Sequence, residues 1–471
     1  MLNQSFTADN FENIYDIENR KSTITEYLGT EYKDILAQIK SLQDENSQIK
    51  RKKLSDRTDD EKQILIDNKQ KKDELAVKKK EIRHNELYRI SKEVNSNHFK
   101  FDLRPTGDNI FVIQDTREAF FTIKQLQYNV RKTFKVKQSS RHLILSQIKL
   151  LLNDSSPKYV IRSDVSKFFE SIPQDKLFKK INNNTLLNTQ SKKFIKQIIE
   201  DYNSKKDTTK IGVDKGVPRG VGISSYLSEL YMKDIDNQIC NMQDVIYYAR
   251  YVDDIFIIIS PKLPRKNIDN YFTKIKEIVN KEDLSLKDIG DDKCNLFDLS
   301  VTNMSEKIIT YLGYALHIKR QSNNTSVLFG LSEAKKEKIK NRITKCFQNF
   351  NNINKYGIKD AKNELLLSLR FLCSNTKLSG AKSRVKTGIF YSNCLLDNEY
   401  YNDILELDDF VRTQQLSLHD KLFSNERTQQ LCEERIKDFI IRNVIFAKGF
   451  TDRTYHSFSK DELKTIKKIL Q

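Results

Sequence analysis

Two adjacent aspartates, Asp253 and Asp254, stand inside the otherwise apolar and aromatic stretch YYARYVDDIFIII. The flanking residues are β-branched and aromatic, which predicts two strands with the acidic pair at their connection. Aspartate is a good turn residue, so the pair taken alone favours an ordinary turn. Adjacent carboxylates repel each other, however, and burial raises that cost. A hairpin this apolar would keep the pair more easily beside a cation.

A third acid can join this pair. The run YVIRSDVSKFFESIP reads as a strand that ends at Asp164 and is followed by a helical segment. Mg²⁺ binds few carboxylates and takes substrate phosphates for the rest of its shell. Two such ions about 3.5–4 Å apart can activate a 3′-hydroxyl and stabilise a leaving pyrophosphate. We therefore expect a two-metal site in which Asp164 bridges both ions, Asp253 joins it and Asp254 acts less directly.

Between these two segments lies a glycine-containing loop, GVPRGVGISSYLSELYM, which begins at Gly216. Gly216, Gly220 and Gly222 would let the backbone approach a planar base or a phosphate closely. Ser224 and Ser225 then read as caps of a helix whose apolar residues have helical spacing. An ordinary turn would look the same, so the loop alone does not identify a site.

The surrounding runs must position these residues, and they predict an α/β or α+β arrangement. NIFVIQ, YVIRSD, DVIYYARYV and DIFIIIS are strand-like, whereas the segment after the first run and SSYLSELYMKDIDNQI are helical by spacing. From about residue 330 the strand signals fade. SEAKKEKIKNRITKCFQNF, AKNELLLSLRFLC and ERIKDFIIRNVIF are helical there, which predicts a helical C-terminal part.

Residues 31–94 read as two long charged helices with a thin apolar stripe. The stretch SDRTDDE, from Ser55 to Glu61, interrupts the stripe and supplies N-cap residues for the second helix. An antiparallel helical hairpin or coiled coil is the expected form. It would serve either as an arm that binds a partner, a second copy or RNA, or as a solvated structural hairpin.

The composition points towards nucleic acid. The 471 residues include 82 Lys and Arg against 64 Asp and Glu, a net charge of +18, and such a surplus favours phosphate binding. A basic proteome or solvated helix faces would give the same surplus.

The six cysteines are scattered, which excludes a C-x-x-C zinc module and favours buried free thiols in a reducing cytosol. The N-terminal residues lack the pattern of a signal peptide, and no apolar run is long enough for a membrane span. We expect a cytoplasmic protein.

The order of the chemical motifs resembles motifs A, B and C of reverse transcriptases. These are Asp164 with Phe168 and Phe169, then Gly-x-Pro-x-Gly with a following serine, then Tyr-x-Asp-Asp. Downstream, LSLKDIGDDKC is similar to motif D with Lys293 as its lysine, and ITYLGYALHI is similar to the primer-grip motif E. The resemblance covers roughly residues 100–325.

Upstream, RKTFKVKQSSRHLILSQIKLLL is similar to the fingers motifs of that family. The resemblance implies that Arg141, together with Lys135 or Lys137, meets the incoming triphosphate. His142 would lie near the substrate because it follows Arg141. The other five histidines show no metal-ligand spacing, and we interpret them as structural or surface residues.

The resemblance implies an α+β right-hand polymerase fold with fingers and an RRM-like palm sheet over residues 96–325. Residues 1–95 would form the N-terminal helical arm, and residues 326–471 an α-helical thumb with a C-terminal extension. The implied activity is that of an RNA-directed DNA polymerase, a nucleotidyltransferase. It would use two Mg²⁺ ions, or Mn²⁺ in their place, and would bind an RNA template or noncoding RNA, dNTPs and a DNA product. A homo-oligomer or a partner protein is also compatible with it.

The resemblance further assigns individual residues. Metal binding is implied for Asp164, Val165, Asp253 and Asp254. Phe169 would act as a steric gate against the 2′-hydroxyl, because an extra oxygen cannot be packed there without strain. A core aromatic is the alternative for Phe169. The remaining substrate-binding residues that the resemblance implies are Gly220, Ser224 and Lys293.

Arg219 departs from the usual pattern, because most templated reverse transcriptases have Pro-Gln-Gly where this chain has Pro-Arg-Gly. An arginine carries a fixed charge and a fork of five donors, so it would contact template, triphosphate or an internal acid. PRGVGIS is similar to bacterial antiphage reverse transcriptases, including the abortive-infection group, which are related to retron and group II intron enzymes. Some of these make repetitive or untemplated DNA, some prime from a protein hydroxyl, and some use a small noncoding RNA.

The resemblance therefore implies a role in antiviral defence. A retron-type or mobile-element reverse transcriptase and a non-catalytic RNA-binding scaffold are the alternatives. Tyr391 and Tyr455 are two candidates for a priming hydroxyl among twenty tyrosines.

Overall fold

The computed structural model describes ten stretches of the chain, which are residues 3–20, 24–107, 109–262, 267–291, 293–300, 304–321, 324–353, 358–377, 386–416 and 437–471. The chain divides into two units. The first comprises Met1–Gln138 and Ile161–Leu296, and the second comprises Ser139–Val160 and Phe297–Gln471. Cys432 lies outside the described residues. So do residues 434–436, which begin the predicted helix ERIKDFIIRNVIF, and residues 383–385, which precede Tyr391.

The α-helices of the described residues are α1 (Ala8–Asn19), α2 (Gly29–Lys50), α3 (Asp59–Val94), α4 (Arg117–Phe134), α5 (Arg141–Asn153), α6 (Phe168–Ser171), α7 (Gln174–Asn182), α8 (Thr189–Lys205), α9 (Ser224–Cys240), α10 (Ile268–Lys281), α11 (Glu333–Ile353), α12 (Ile358–Cys373), α13 (Ile389–Asn393), α14 (Asn402–Leu416), α15 (437–443), α16 (Phe446–Thr451) and α17 (Lys460–Leu470). The strands are β1 (Leu103–Gly107), β2 (Ile110–Ile113), β3 (Tyr159–Asp164), β4 (Val245–Tyr251), β5 (Asp254–Ile259), β6 (Asn295–Asp298), β7 (Met304–Tyr311), β8 (Tyr314–Gln321), β9 (Asn324–Leu331), β10 (Asn375–Lys377) and β11 (Lys386–Gly388).

A four-stranded sheet with the order β4-β5-β3-β6 carries the acidic motifs. Strands β4 and β5 are antiparallel, and Tyr251 pairs with Asp254 across a two-residue turn. The side chains from Ile255 to Ile259 are fully buried, as the uninterrupted apolar run predicts for a central strand. Helix α9 packs beside β4. Each of the two central strands therefore has an aspartate at one of its ends.

The N-terminal helices α2 and α3 form the predicted antiparallel hairpin. Helix α3 begins with a capping box, in which the Thr58 hydroxyl accepts from the Glu61 amide and the Glu61 carboxylate accepts from the Thr58 amide. Asn68 of α3 donates to Glu45 of α2 at 2.8 Å. The stem is buried near Tyr32, whereas most of the outer hairpin is exposed.

The second unit contains an antiparallel sheet of β7, β8 and β9, with Leu312 and Gly313 at the turn between β7 and β8. Helices α11, α12 and α14 to α17 follow, together with the short pair β10–β11. The α+β fold with an N-terminal helical hairpin and a helical C-terminal part is confirmed. Within the described residues, no helix combines the length and the apolar character needed to cross a bilayer.

Candidate metal centre and active site

Three carboxylates meet at the ends of β3 and β5. Asp164 is the last residue of β3, Asp253 lies in the β4–β5 turn, and Asp254 begins β5. One ligand oxygen from each lies within 4.8 Å of the other two. Asp164 is buried and the other two side chains are half-buried. The structure therefore brings together the three acids predicted from the sequence.

The turn that presents Asp253 has a strained backbone. Val252 has a φ of 62°, in the left-handed region that β-branched residues rarely adopt. Such a conformation costs about 1–3 kcal/mol and persists only where its surroundings hold it. The backbone joins the turn to β3, because the Val165 amide donates to the Asp253 carbonyl at 3.1 Å. Val165 itself is buried, and its part in metal binding stays a prediction.

Arg250 holds the other side of this turn, and sequence reasoning missed it. Its Nη1 donates to the Val252 carbonyl at 2.8 Å. The same guanidinium pairs with Glu229 and Asp236 of α9, each at 2.8 Å, and its side chain is only 4% exposed. An arginine inside an apolar strand, just before the acidic pair, was the available signal. Arg250 thus ties the turn to a helix.

Three cations surround the acids. Lys293 Nζ lies 2.9 Å from Asp164 and 4.0 Å from Asp254, which places the predicted motif D lysine at the site. Lys287 Nζ lies 3.8 Å from Asp164, and Arg162 lies 3.8 Å from Asp254. Sequence reasoning named neither Lys287 nor Arg162. All three offset negative charge that would otherwise oppose folding.

The nearby cations do not fully offset the effects that raise the pKa values of Asp253 and Asp254. Burial raises the pKa of Asp253, and the Asp164 charge raises it further, against the opposing charges of Lys293 and Arg219. Burial also raises the pKa of Asp254, which Lys293 lowers in part. A divalent cation would relieve both effects, since it favours ionised carboxylates. The donor set of three converging carboxylate oxygens therefore fits Mg²⁺.

The glycine loop is shaped by contacts within the protein. Gly220 has a φ of 94°, and a Cβ there would lie 2.5 Å from the Phe111 carbonyl of β2. The Phe111 amide donates to the Arg219 carbonyl at 2.7 Å, so the loop pairs with β2 through its backbone. Only glycine suits this position. Whether Gly220 also contacts substrate stays a prediction.

Ser224 does not cap α9 as expected. The helix begins at Ser224, its N-cap residue is Ile223, and no side chain caps it. The buried Ser224 hydroxyl instead donates to the Pro218 carbonyl at 2.7 Å. The reason is that the loop already turns tightly before the helix, so the serine holds that turn. Its substrate contact stays a prediction.

Of the candidate substrate residues, Arg219 lies on this loop and Phe169 lies beside it. The half-buried Phe169 of α6 packs on Phe168 at a centroid distance of 5.4 Å, and its carbonyl accepts from the Val217 amide at 2.8 Å. Arg219 is exposed, and its charge lowers the pKa of Asp253. Phe169 is thus fixed to the loop, while the Arg219 side chain is open to solvent and its charge acts on Asp253. The gate role of Phe169 stays a prediction.

The predicted fingers residues fall in different units. Lys137 is exposed in the connection before α5, as is Lys135. Arg141 begins α5, and its guanidinium donates to the carbonyls of Leu312 at 2.8 Å and Ser392 at 3.3 Å. These bonds engage Arg141 within the second unit. Triphosphate binding by Arg141 and Lys137 stays a prediction.

Comparison with known proteins gives a family for the central part of the chain. Residues 122–316 match the family model described as reverse transcriptase (RNA-dependent DNA polymerase). No curated protein sequence is significantly similar to the chain.

Solved telomerase structures resemble the chain distantly. The Candida albicans enzyme with a fragment of telomeric RNA has 12% identity and a TM-score of 0.32, and the match covers 73% of this chain and 64% of that one. Apo telomerase from Candida tropicalis has 14% identity and a TM-score of 0.32 over 79% and 66%. The present chain thus spans less than two thirds of the Candida albicans chain. The family match is the stronger finding, and its residues 122–316 contain all three carboxylates. This part of the chain is a reverse transcriptase domain with the right-hand polymerase fold. Such domains belong to RNA-directed DNA polymerases, which are nucleotidyltransferases.

Proposed function

We propose that the chain adds dNTPs to a primer under the direction of RNA, with two divalent ions held by Asp164, Asp253 and Asp254. The observation that carries this proposal is the approach of three carboxylate oxygens to within 4.8 Å inside a reverse transcriptase domain. Bound Mg²⁺ would supply a more nucleophilic 3′-hydroxyl and offset the charge of the leaving pyrophosphate.

The chain's own residues would position the reactants. Arg250 and Val252 fix the carboxylates of the turn, so that little reorganisation is needed when substrate binds. The exposed Arg219, whose charge already acts on Asp253, is placed to meet a phosphate or a template base. Lys293 lies against Asp164 and can exchange that contact for a phosphate.

Primer extension with Asp253→Asn tests the proposal. Asparagine keeps the shape of the side chain and removes its charge, so we expect a loss of at least about a thousandfold in rate, or about 4 kcal/mol of transition-state stabilisation. Labelled dNTPs, an RNA template, a primer and Mg²⁺ provide the measurement. Asp461→Asn, at a carboxylate that is 91% exposed, is the matched control. Equal product from wild type and Asp253→Asn would refute the assignment.

One observation favours a protein hydroxyl as the primer. The phenol groups of Tyr391 and Tyr455 are hydrogen-bonded to each other. The Tyr455 bond and then Lys386 lower the pKa of Tyr391. A deprotonated phenol could attack the α-phosphorus of a dNTP, forming an O–P bond and releasing pyrophosphate. The resemblance to reverse transcriptases that prime from a protein hydroxyl supports the same idea.

Denaturing electrophoresis tests this route, because DNA that starts on a tyrosine stays bound to the protein. Tyr391→Phe and Tyr455→Phe each remove one hydroxyl, and one of them should abolish the protein-linked product. Tyr88→Phe, at another exposed tyrosine, is the control. Protein-linked DNA from both variants would exclude this pair as the primer.

A role in antiviral defence in the cytoplasm rests on the resemblance of PRGVGIS to antiphage enzymes, and a noncoding RNA would be the natural template. Plaque counts with wild type and with the Asp253→Ala, Asp254→Ala double variant test it, since defence by DNA synthesis requires the acids. Sequencing of the nucleic acid that copurifies would separate this role from that of a retron-type enzyme. Tight RNA binding without any incorporation would favour the non-catalytic scaffold instead.

A further inference from the structure

A thiol and an imidazole, neither of them part of the proposed metal centre, meet in the second unit. Cys394 Sγ lies 3.5 Å from His142 Nδ1. Cys394 is half-buried and His142 is exposed, so small molecules in solvent can reach the pair. The sequence suggested buried thiols and a histidine near substrate, and neither expectation anticipated this contact.

Two basic side chains lie close to the pair. Lys335 Nζ donates to the carbonyl of Ser392 at 2.9 Å, two residues before Cys394, and Arg141 donates to the same carbonyl. Burial and the Arg141 charge lower the pKa of Lys335 to about 7, and the Cys394 sulfur acts against this shift. The Cys394 sulfur is thus close enough to Lys335 to interact with it electrostatically.

The other described cysteines lack such surroundings. Cys346 and Cys373 are buried, and burial raises the pKa of each thiol to about 12. Burial also raises the pKa of Cys294. Cys240 is exposed, but burial of its sulfur and the nearby Asp236 raise its pKa as well. Among the described cysteines, Cys394 alone has a histidine ring against its sulfur.

We propose that Cys394 is a reactive thiol, activated by His142, and that its reaction partners are soft electrophiles. His142 Nδ1, 3.5 Å from the sulfur, is placed to take the thiol proton as the sulfur attacks. With an alkyl halide such as iodoacetamide, the sulfur forms a bond to carbon while the carbon–iodine bond breaks. Iodide leaves with the bonding electrons, and the proton stays on the imidazole, so the step balances without an oxidant.

An adduct at this position would lie beside the turn between β7 and β8. The hydroxyl of Tyr314, at the start of β8, accepts from the amide of Leu395, the next residue after Cys394. Lys335 lies over the Tyr314 ring at 4.8 Å. A modified Cys394 is therefore placed to disturb the hairpin that resembles the primer grip.

Timed labelling with iodoacetamide, followed by peptide mass spectrometry on the full chain, tests the proposal. Cys240 is the internal control, because it is the more exposed thiol and lacks an imidazole. Exposure alone predicts that Cys240 reacts first, whereas the pair predicts that Cys394 reacts at least about tenfold faster, because the imidazole takes the thiol proton during the attack. Cys432 is replaced by serine in every sample.

The variant His142→Asn completes the test. We expect the labelling rate of Cys394 to fall about tenfold while that of Cys240 stays the same, which also shows that the variant is folded. The fast phase should be absent from Cys394→Ser. Faster labelling of Cys240 than Cys394 in the wild type would overturn the proposal. An unchanged Cys394 rate in His142→Asn would also overturn it, by removing the role of the imidazole.

Discussion

At the residue scale, the raised pKa values of Asp253 and Asp254 make a prediction about stability. The folded state holds protons in a pH window just above the ordinary carboxyl range, in which the unfolded chain has already released them. The free energy of unfolding therefore falls as the pH rises through that window. We expect Asp254→Asn, without metal, to unfold roughly 1–3 °C above wild type at pH 7. Thermal unfolding should show this difference shrinking towards pH 4.

The same carboxylates should respond to divalent cations. Ligands that bind only the folded state raise its apparent stability by mass action. Adding Mg²⁺ should therefore raise the unfolding temperature of wild type and of the control Asp461→Asn, but raise that of Asp253→Asn much less. Equal shifts in all three proteins would mean that Mg²⁺ binds elsewhere.

Phe169 makes a prediction about sugar selection. If its ring excludes the 2′-hydroxyl, Phe169→Ala should lower the preference for dNTPs over rNTPs by at least about 10- to 200-fold, the range that a single methylene group in a pocket gives. Single-nucleotide incorporation with each substrate measures the ratio. A core role predicts a different outcome, namely a lower unfolding temperature with an unchanged ratio. The half-buried ring makes the first outcome our expectation.

At the element scale, the β4–β5 hairpin depends on its bonds to α9. Arg250→Met would leave the acids Glu229 and Asp236 without their buried partner, and breaking such a pair costs about 3–5 kcal/mol. The triple variant with Glu229→Gln and Asp236→Asn should recover part of that stability. It should not recover polymerisation, because the Val252 carbonyl still lacks its donor. Recovery of both stability and polymerisation would mean that Arg250 serves only as a structural ion-pair partner.

The glycine loop packs on β2 only because the backbone at Gly220 comes very close to the backbone of Phe111. Gly220→Ala would place a Cβ 2.5 Å from the Phe111 carbonyl at a φ of 94°, so the loop must move. We expect a cost of about 1–3 kcal/mol and a loss of polymerisation. Gly107→Ala, in open space at the end of β1, is the matched control and should change neither. Denaturant unfolding and primer extension measure the two effects.

The elements around the acids could be predicted because their signals are local. The apolar run after Asp254 predicted a buried strand, and the stretch SDRTDDE predicted the start of α3, where Thr58 is the cap. What could not be predicted depends on contacts between distant parts of the chain. Lys287 reaches Asp164 from a loop more than a hundred residues away. The three-residue strands β10 and β11 exist only through their pairing, so neither carries a pattern of its own.

At the scale of the whole molecule, the net charge of +18 predicts that RNA binding weakens steeply with salt, because bound phosphates release counterions. The outer part of the helical hairpin contributes little to that charge. Residues 38–77 contain ten Lys and Arg against nine Asp and Glu, a balance of +1. The surplus therefore lies in the rest of the chain.

Deleting the outer part of the helical hairpin separates its two interpretations, an RNA-binding arm and a solvated structural element. Replacing residues 38–77 by a short Gly-Ser linker keeps the buried stem at Tyr32 and Ile82. If the hairpin is a solvated structural element, the slope of log affinity for RNA against log salt should change by less than about one, and primer extension should persist. If it is an RNA-binding arm, its local lysines would contact phosphates despite the balanced total, and each lost contact would lower the slope by about 0.7 for single-stranded RNA. Because charge is interleaved along both helices, we expect the first result.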